Sequence, residues 1–320
     1  IYGLNYRYNT VSHSQISEYS TENRLGLHLQ DEWRATPSLS LVMGARYDLN
    51  TFVNPTISPR VAVLYKAAQD HVFRLSGSVA YRPPTIIETK LDTRSVISLP
   101  PPSPSPPPTV AQGSDNLKAE QIVSYEAEYQ GWYWHHRLRA RASLFFNHLS
   151  ELISPSPSSQ VNSGARDIYG GEADIEFLAT RWLTGFANYS YQEIGQSLSG
   201  AARQGVPRFK YNVGLRGEWD NGLSGEAAFH HVGAATYPLS TAFTALAPFG
   251  VPPVDARVGS YNLLNLRVAY KLWQQKAAAG YLRDAEVAVS AFNALNDKHK
   301  EHPLGDTIGS RVMGWLTVRF

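Results

Sequence analysis

The 320-residue chain contains no cysteine, and only 18% of its residues are charged. Without cysteine it can form neither a disulfide framework nor a thiolate metal site. Its 29 basic and 27 acidic residues nearly balance, which argues against a nucleic-acid-binding protein and against a disordered chain. No apolar run approaches the roughly 18 residues of a transmembrane helix. The chain lacks a signal peptide and starts at Ile1 instead of methionine, so we expect a processed product or a fragment.

Apolar residues recur at every second position in one segment after another. In residues 39–49, for example, Tyr47 and Leu49 alternate with Arg46 and Asp48. This period predicts β-strands with one apolar and one polar face. We identify about fourteen such segments of roughly 9–13 residues, close to the ~9–11 residues with which a tilted strand crosses a bilayer. No segment has the pattern of an amphipathic helix.

Short and long connections alternate along the chain. The short ones have about two to four residues, apart from a longer stretch near residues 274–282. The long ones are residues 82–119, 150–164, 194–206, 233–258 and 294–308. Short turns on one side and long loops on the other are typical of outer-membrane barrels. A soluble sandwich or propeller also alternates, but it buries its apolar face in a small core. Nearly every strand carries charges on the face opposite its apolar residues, and the long loops all lie at the same end of the strands. Both features favour the membrane barrel.

Several short motifs follow one another in a distinctive order. They lie at residues 24–33, 39–48, 58–66, 75–84 (ending Tyr81-Arg82-Pro83-Pro84), 116–120 with the following Ser124-Tyr125-Glu126, and 293–320. Their order and spacing over residues 20–320 resemble the C-terminal barrel region of TonB-dependent outer-membrane receptors. Ala119 stands where the family usually has proline.

The resemblance implies an all-β fold, a transmembrane antiparallel β-barrel. Barrels of this family have ~22 strands and a plugged lumen, so the roughly fourteen strands of this chain would be part of a larger barrel. Residues 1–320 would be its C-terminal part, with the plug and the N-terminal strands outside this chain. The expected location is the outer membrane of a Gram-negative cell, with the C-terminus periplasmic and the long loops extracellular.

The resemblance also implies the partners and the function. The partners are outer-membrane lipid and lipopolysaccharide, the TonB complex acting through the missing plug, the barrel assembly machinery and a small-molecule ligand, with no nucleic acid. The leading hypothesis is TonB-dependent active uptake of a scarce nutrient, above all a ferric siderophore or a similar iron or cofactor complex. One alternative is a passive porin-type channel, and another is a structural or adhesive surface barrel.

The residues do not predict chemistry at a catalytic or metal centre. No nucleophile elbow of the Gly-x-Ser-x-Gly type is present, so we expect no enzyme, no catalytic residue and no cofactor. Adjacent residues on a strand point to opposite faces, so neither residues 135–136 nor residues 230–231 should chelate one ion with both of their histidines. His299 and His302 lie close to Glu301 in the sequence. The resemblance places them in the last external loop, where the family often has such polar residues. No metal site is predicted.

Basic residues with lumen-facing parity gather where strands lead into the long loops. The candidate ligand-binding residues are Arg46, Arg60, Arg82, Arg166, Arg208, Lys210 and Arg311. Only Asp48 clearly opposes them at the same rim. A basic vestibule attracts anions, and the arginine fork suits carboxylate, phosphate and catecholate-type oxygens. The ligand is therefore anionic in one interpretation. In the other, these cations pair with plug carboxylates or with lipopolysaccharide.

The last residue, Phe320, has the parity of the apolar face. An aromatic side chain at a strand end is expected to anchor the barrel at the periplasmic interface. The resemblance adds that a C-terminal aromatic residue is a recognition signal for barrel assembly. We therefore predict that Phe320 is a membrane-assembly signal needed for insertion.

Overall fold

The protein is described by a computed structural model. It describes residues 1–16, 19–95, 109–156, 159–195, 205–237, 254–276 and 282–319. Phe320, with the assembly role predicted for it, lies outside the described residues. Within the described ranges, no helix has both the length and the apolar character required to cross a membrane.

Almost all of the regular structure is β-strand. The strands are β1 (Tyr2–Val11), β2 (Ser20–Thr36), β3 (Leu39–Asn50), β4 (Thr56–Ala68), β5 (His71–Arg82), β6 (Asp92–Ser95), β7 (Thr109–Gln112), β8 (Glu120–Tyr133), β9 (Leu138–Ser150), β10 (Ile153–Pro155), β11 (Gln160–Asn162), β12 (Arg166–Thr180), β13 (Leu183–Ile194), β14 (Phe209–Glu218), β15 (Leu223–Val232), β16 (Ala235–Thr236), β17 (Arg257–Val258), β18 (Tyr261–Lys276), β19 (Leu282–Phe292) and β20 (Arg311–Arg319). One short helix, α1 (Ile86–Lys90), lies between β5 and β6.

Fourteen of these strands form a single sheet. Its order is β1-β2-β3-β4-β5-β8-β9-β12-β13-β14-β15-β18-β19-β20, so that β1 and β20 are the two ends of the order. The remaining six strands form two-stranded hairpins within the long connections, namely β6–β7, β10–β11 and β16–β17. The antiparallel all-β fold and the number of long strands are confirmed. Some strands exceed the expected length, since β2 has 17 residues and β18 has 16.

The register keeps the apolar series of neighbouring strands side by side. Leu27 of β2 lies opposite Tyr47 of β3, and Tyr47 lies opposite Ile57 of β4. These three side chains are 45%, 40% and 59% exposed. Large apolar side chains on an exposed sheet face are what contact with lipid requires. The alternation read from the sequence is therefore the alternation between the two faces of the sheet.

The described residues bury few large apolar side chains. The buried hydrophobic residues are mostly small, such as Ala62, Ala228 and Ala269, and the largest fully buried side chains are Glu22 and Pro84. A soluble domain buries its large apolar residues in a packed core. This distribution therefore fits a sheet that presents its apolar face to lipid.

The chain divides into two compact units. The first consists of Ile1–Glu128, Leu144–Tyr169 and Ile194–Gly200, and the second of Tyr129–Ser143, Gly170–Glu193 and Ala201–Phe320. The first unit contains the first five strands and α1, which the sequence period did not predict. The side chain of Thr85 accepts a hydrogen bond from the Glu88 backbone, and the Glu88 side chain accepts one from the Thr85 backbone. This capping box explains why a five-residue helix forms in a loop.

Candidate functional site

In the first unit, a pocket of about 280 Å³ opens where strands lead into the long loops. It is lined by Asn5, Arg7, Arg24, Arg46, Asp48, Leu49, Asn50, Val53, Thr56, Tyr81, Pro83 and Ala119. Strand register assembles the polar part, because Arg7 lies opposite Arg24 and Arg24 lies opposite Asn50. We call this cavity the arginine pocket.

A buried carboxylate lies beside the arginine pocket. Glu22 is 1% exposed, and its carboxylate accepts hydrogen bonds from Arg24 Nε at 2.6 Å, Asn9 Nδ2 at 2.9 Å and Asn50 Nδ2 at 3.0 Å. Three donors from three strands satisfy a charge that would be costly to bury alone. The charge of Arg24 is thus compensated within the chain.

Arg46 is held by its neighbour on the same strand face. Its Nε donates to both Asp48 oxygens, at 2.8 and 2.7 Å, and its Nη2 donates to Asn5 Oδ1 at 3.0 Å. The guanidinium group crosses β2 above Gly26, where an added Cβ would lie 2.0 Å from Arg46 Nη2. Glycine at this strand position leaves room for the guanidinium group, and an added Cβ would displace the ends of the Arg46 and Asn5 side chains.

Arg82, at the end of β5, binds two carboxylates. Its Nη1 and Nη2 each donate to Glu88 of α1 at 3.0 Å, and its Nε donates to Glu120 at the start of β8. Partial burial raises the pKa of Glu88, but hydrogen bonds from Arg82 and Thr85 outweigh it and hold the pKa below its ordinary value of 4.5. Arg82 thus joins α1 to the ends of two neighbouring strands.

Arg60 and Arg166 complete the predicted set in the first unit. Arg60 is exposed on β4 and has no hydrogen-bond or ion-pair partner in the described part of the chain. Arg166 begins β12, and its Nε is buried without a partner among the residues that the structure describes. The structure does not bring these two residues into the arginine pocket. Arg7, which has the same lumen-facing parity but is not one of the seven candidates, lines that pocket and is exposed.

The three remaining candidates lie in the second unit. Arg208 pairs with Glu193 at 2.9 Å. The Arg311 guanidinium lies over the Phe292 ring at 5.2 Å from its centroid. Lys210 is exposed on β14, and within the described residues nothing pairs with its ammonium group. Two of these three cations are thus engaged by the chain's own side chains.

The prediction that only Asp48 opposes the basic residues is wrong. Glu22, Glu88, Glu120 and Glu193 also pair with arginines of this region, as described above. Strand parity could not reveal Glu88, because this residue lies in a loop. Parity also says nothing about which residues of different strands meet, which depends on register. The arginines are therefore compensated within the chain to a large extent.

The histidine pairs of the sequence lie in different structural settings. Over the described ranges, no three His, Cys, Asp or Glu residues are arranged to hold a metal ion. His135 and His136 lie in a turn with φ of 58° and 63°, so they are not on a strand as assumed. His230 Nδ1 contacts Asn212 of β14, whereas His231 Nδ1 lies 2.7 Å from Asn262 Oδ1 of β18. The adjacent pair 230–231 thus binds different neighbours, as the strand geometry predicts.

Comparison with known proteins gives one family and one fold. The sequence model of the family described as TonB dependent receptor-like, beta-barrel matches residues 1–294. A ferric enterobactin receptor mutant from Pseudomonas aeruginosa has a TM-score of 0.71 at 16% identity, covering 92% of this chain and 44% of its own. A siderophore receptor from Acinetobacter baumannii has a TM-score of 0.71 at 15% identity, covering 94% and 46%. An iron transporter from Neisseria meningitidis has a TM-score of 0.67 at 16% identity, covering 97% and 51%.

Identities this low show a shared fold and nothing finer. The chain spans about half of the length of these solved structures or less. No curated protein sequence matches it.

Proposed function

The chain belongs to the family of TonB-dependent receptor-like β-barrels, and on this premise we propose that it is part of a receptor for TonB-dependent nutrient uptake. The family is one of outer-membrane transport receptors, not of enzymes. The match over residues 1–294 is the observation that carries the proposal. Its support is the fourteen-stranded antiparallel sheet with exposed large apolar side chains.

We propose that residues 1–320 are the C-terminal part of a longer barrel whose plug and remaining strands lie outside this chain. The shares of 44% to 51% of the solved receptors that it covers support this division. In the proposed orientation, the C-terminus is periplasmic and the long loops face outward. TonB would act through the plug, and lipopolysaccharide would surround the outer rim. A passive channel of about fourteen strands remains the alternative, and it requires an open lumen that conducts ions.

We propose an iron complex with an anionic siderophore as the ligand. The similar structures are described as receptors of ferric enterobactin or siderophores and as an iron transporter. Within this chain, the support is the charge of the arginine pocket. Arg24 is compensated by Glu22 and Arg46 by Asp48, whereas Arg7 has no carboxylate partner in the described residues. The pocket thus keeps one uncompensated guanidinium group, which would attract an anion.

The proposal changes which side chains are expected to act on the ligand. Arg82 and Arg208 are held by carboxylates, and their expected role is to shape the rim. Arg7, Arg60 and Lys210 are exposed, and none of the three has a carboxylate partner in the part of the chain that the structure describes. Arg7 is the one that lines the arginine pocket.

Replacing Arg7 with glutamine in the full-length receptor is expected to lower the affinity for a ferric tris-catecholate siderophore about tenfold. This is the contribution of roughly one charge-assisted hydrogen bond, about 1.5 kcal/mol. The loss should shrink at high salt, because exposed charges are screened over ~8–10 Å. Binding to whole cells at matched surface levels measures the effect.

The matched control for this experiment is Arg34→Gln. Arg34 lies at the other end of the strand that carries Arg24, its side chain is 82% exposed, and it is far from the pocket along the strand. Its replacement should leave affinity unchanged. Equal affinities of wild type and Arg7→Gln at low salt would contradict the proposed attraction of an anionic ligand by Arg7.

We also propose that Phe320 directs membrane assembly. The support is its apolar-face parity directly after strand β20. Deleting Phe320 from the full-length receptor is expected to lower the amount in the outer membrane, while Phe320→Tyr keeps an aromatic ring and should assemble normally. Quantitative blotting of outer-membrane fractions measures this. A normal level of the deletion variant, with normal heat-modifiability on gels, would contradict the role.

A further inference from the structure

One histidine of the second unit is buried with an unused ring nitrogen. His299, in the loop between β19 and β20, has a side chain that is 6% exposed and stacks on Tyr261 at 4.0 Å between ring centroids. Its Nδ1 lies 2.7 Å from the backbone oxygen of Asp297. Because a carbonyl oxygen only accepts, Nδ1 carries a proton, and in the neutral ring Nε2 presents a lone pair. This Nε2 is buried and has no hydrogen-bond partner in the described residues.

The group nearest to this lone pair is a carboxylate. Glu301 Oε1 lies 3.8 Å from His299 Nε2, which is too far for a hydrogen bond. A neutral imidazole nitrogen and an ionised carboxylate are both acceptors, so neither can satisfy the other. A buried unsatisfied group of this kind calls for a species between the two atoms, either an ion or a water molecule.

The geometry suits a transition-metal ion. Zn²⁺ binds imidazole nitrogen at ~2.0–2.1 Å and carboxylate oxygen at ~2.0–2.2 Å, usually with tetrahedral angles. A separation of 3.8 Å is slightly too wide for those angles, and a small movement of the exposed Glu301 side chain would close the difference. Histidine ligands of metals usually donate their other ring N–H to a carboxylate or a backbone carbonyl, which fixes the tautomer. His299 makes this second contact with Asp297.

We propose that His299 Nε2 and the Glu301 carboxylate bind one divalent cation of the Zn²⁺ class. Since the described residues offer no third protein ligand of the same kind, water would fill the remaining positions. Imidazole suits Zn²⁺, Co²⁺ and Ni²⁺, whereas Mg²⁺ and Ca²⁺ take oxygen ligands. The spacing of the two histidines in the sequence did not predict this site. The burial of His299 reveals it.

The cation would tie together two long connections of the second unit. The Tyr237 hydroxyl donates to the Glu301 backbone oxygen at 2.7 Å, and the Tyr237 ring packs edge-on against His302 at 4.9 Å. A cation that binds this arrangement of the loop stabilises it. The inference concerns loop order and does not depend on the proposed transport function.

The test is a Co²⁺ titration of the untagged full-length receptor in detergent after treatment with a chelator. We expect a saturable visible absorption band with one ion bound, competition by Zn²⁺ and no competition by Mg²⁺. Hydrogen exchange in residues 293–310 should slow when Zn²⁺ is added. Glu301→Gln and His299→Gln are each expected to weaken binding at least about tenfold.

Two features keep the test decisive. Glu301 is 57% exposed at its side chain, so Glu301→Gln leaves folding intact even if His299→Gln disturbs the stack on Tyr261. His135→Gln, in an exposed turn, is the control and should bind like wild type. Absence of a Co²⁺ band, or equal affinity in wild type and Glu301→Gln, would overturn the proposal and leave a water molecule between the two groups.

Discussion

Replacing Arg24 with alanine is expected to lower the free energy of unfolding of the full-length receptor by about 3 kcal/mol. The reason is the carboxylate of Glu22, whose side chain is 2% exposed and whose shortest hydrogen bond, at 2.6 Å, comes from Arg24. Without the guanidinium group, a buried charge would keep only the amides of Asn9 and Asn50. Denaturant unfolding of receptor folded in lipid vesicles measures the change.

Arg34→Ala is the control on the same strand. Arg34 is 82% exposed and lies 3.5 Å from Glu32, which is itself half exposed. An ion pair in solvent contributes little, so the expected loss is below about 0.5 kcal/mol. A second variant, Glu22→Gln, removes the buried charge and should lessen the cost of losing Arg24. If Arg24→Ala and Arg34→Ala unfold at the same denaturant concentration, the buried pair does not stabilise the first unit.

Gly113→Ala is expected to displace helix α1. A Cβ at residue 113 would lie 2.3 Å from the carbonyl carbon of Thr89 and 2.6 Å from the backbone nitrogen of Lys90. Backbone atoms cannot turn aside as a flexible side chain can, so the helix must shift at a local cost of about 1–3 kcal/mol. Arg82 donates two hydrogen bonds to Glu88 of this helix, and we expect the shift of the helix to break them.

Hydrogen exchange of the Thr89 and Leu91 amides in the full-length receptor measures this displacement. Both amides are hydrogen-bonded within the helix, to Thr85 and Ile87, so they should exchange faster in the variant. Gly259→Ala is the control, since nothing lies within 4 Å of the added Cβ. Exchange rates equal to those of wild type would contradict the close packing described for Gly113.

The strands could be predicted from the sequence because a two-residue period is a local property of each segment. Arg46 and Asp48 illustrate this. They are two residues apart on one strand, so their side chains lie on the same face and form an ion pair. The contact between Arg82 and Glu120 could not be predicted in the same way. It joins strands separated by a long connection, and it depends on the register between them.

Helix α1 was missed because five residues are too short for a helical period to appear. The signal that was available is Thr85 followed three residues later by Glu88, which is the spacing of a capping box. The burial of Glu22 and His299 carries no local signal at all. Each has a partner two residues away, but its burial depends on residues distant in the sequence, namely Asn9 and Asn50 for Glu22 and Tyr261 for His299. Only the folded chain therefore shows these environments.

The central claim is that this chain is part of an energised receptor and not of a passive channel. The most direct measurement is accumulation of labelled iron from a panel of ferric siderophores by cells with the full-length receptor, with and without TonB. The account predicts accumulation that requires TonB and stops with an uncoupler, while surface binding persists. Equal accumulation without TonB, or none from any siderophore of the panel, would contradict it.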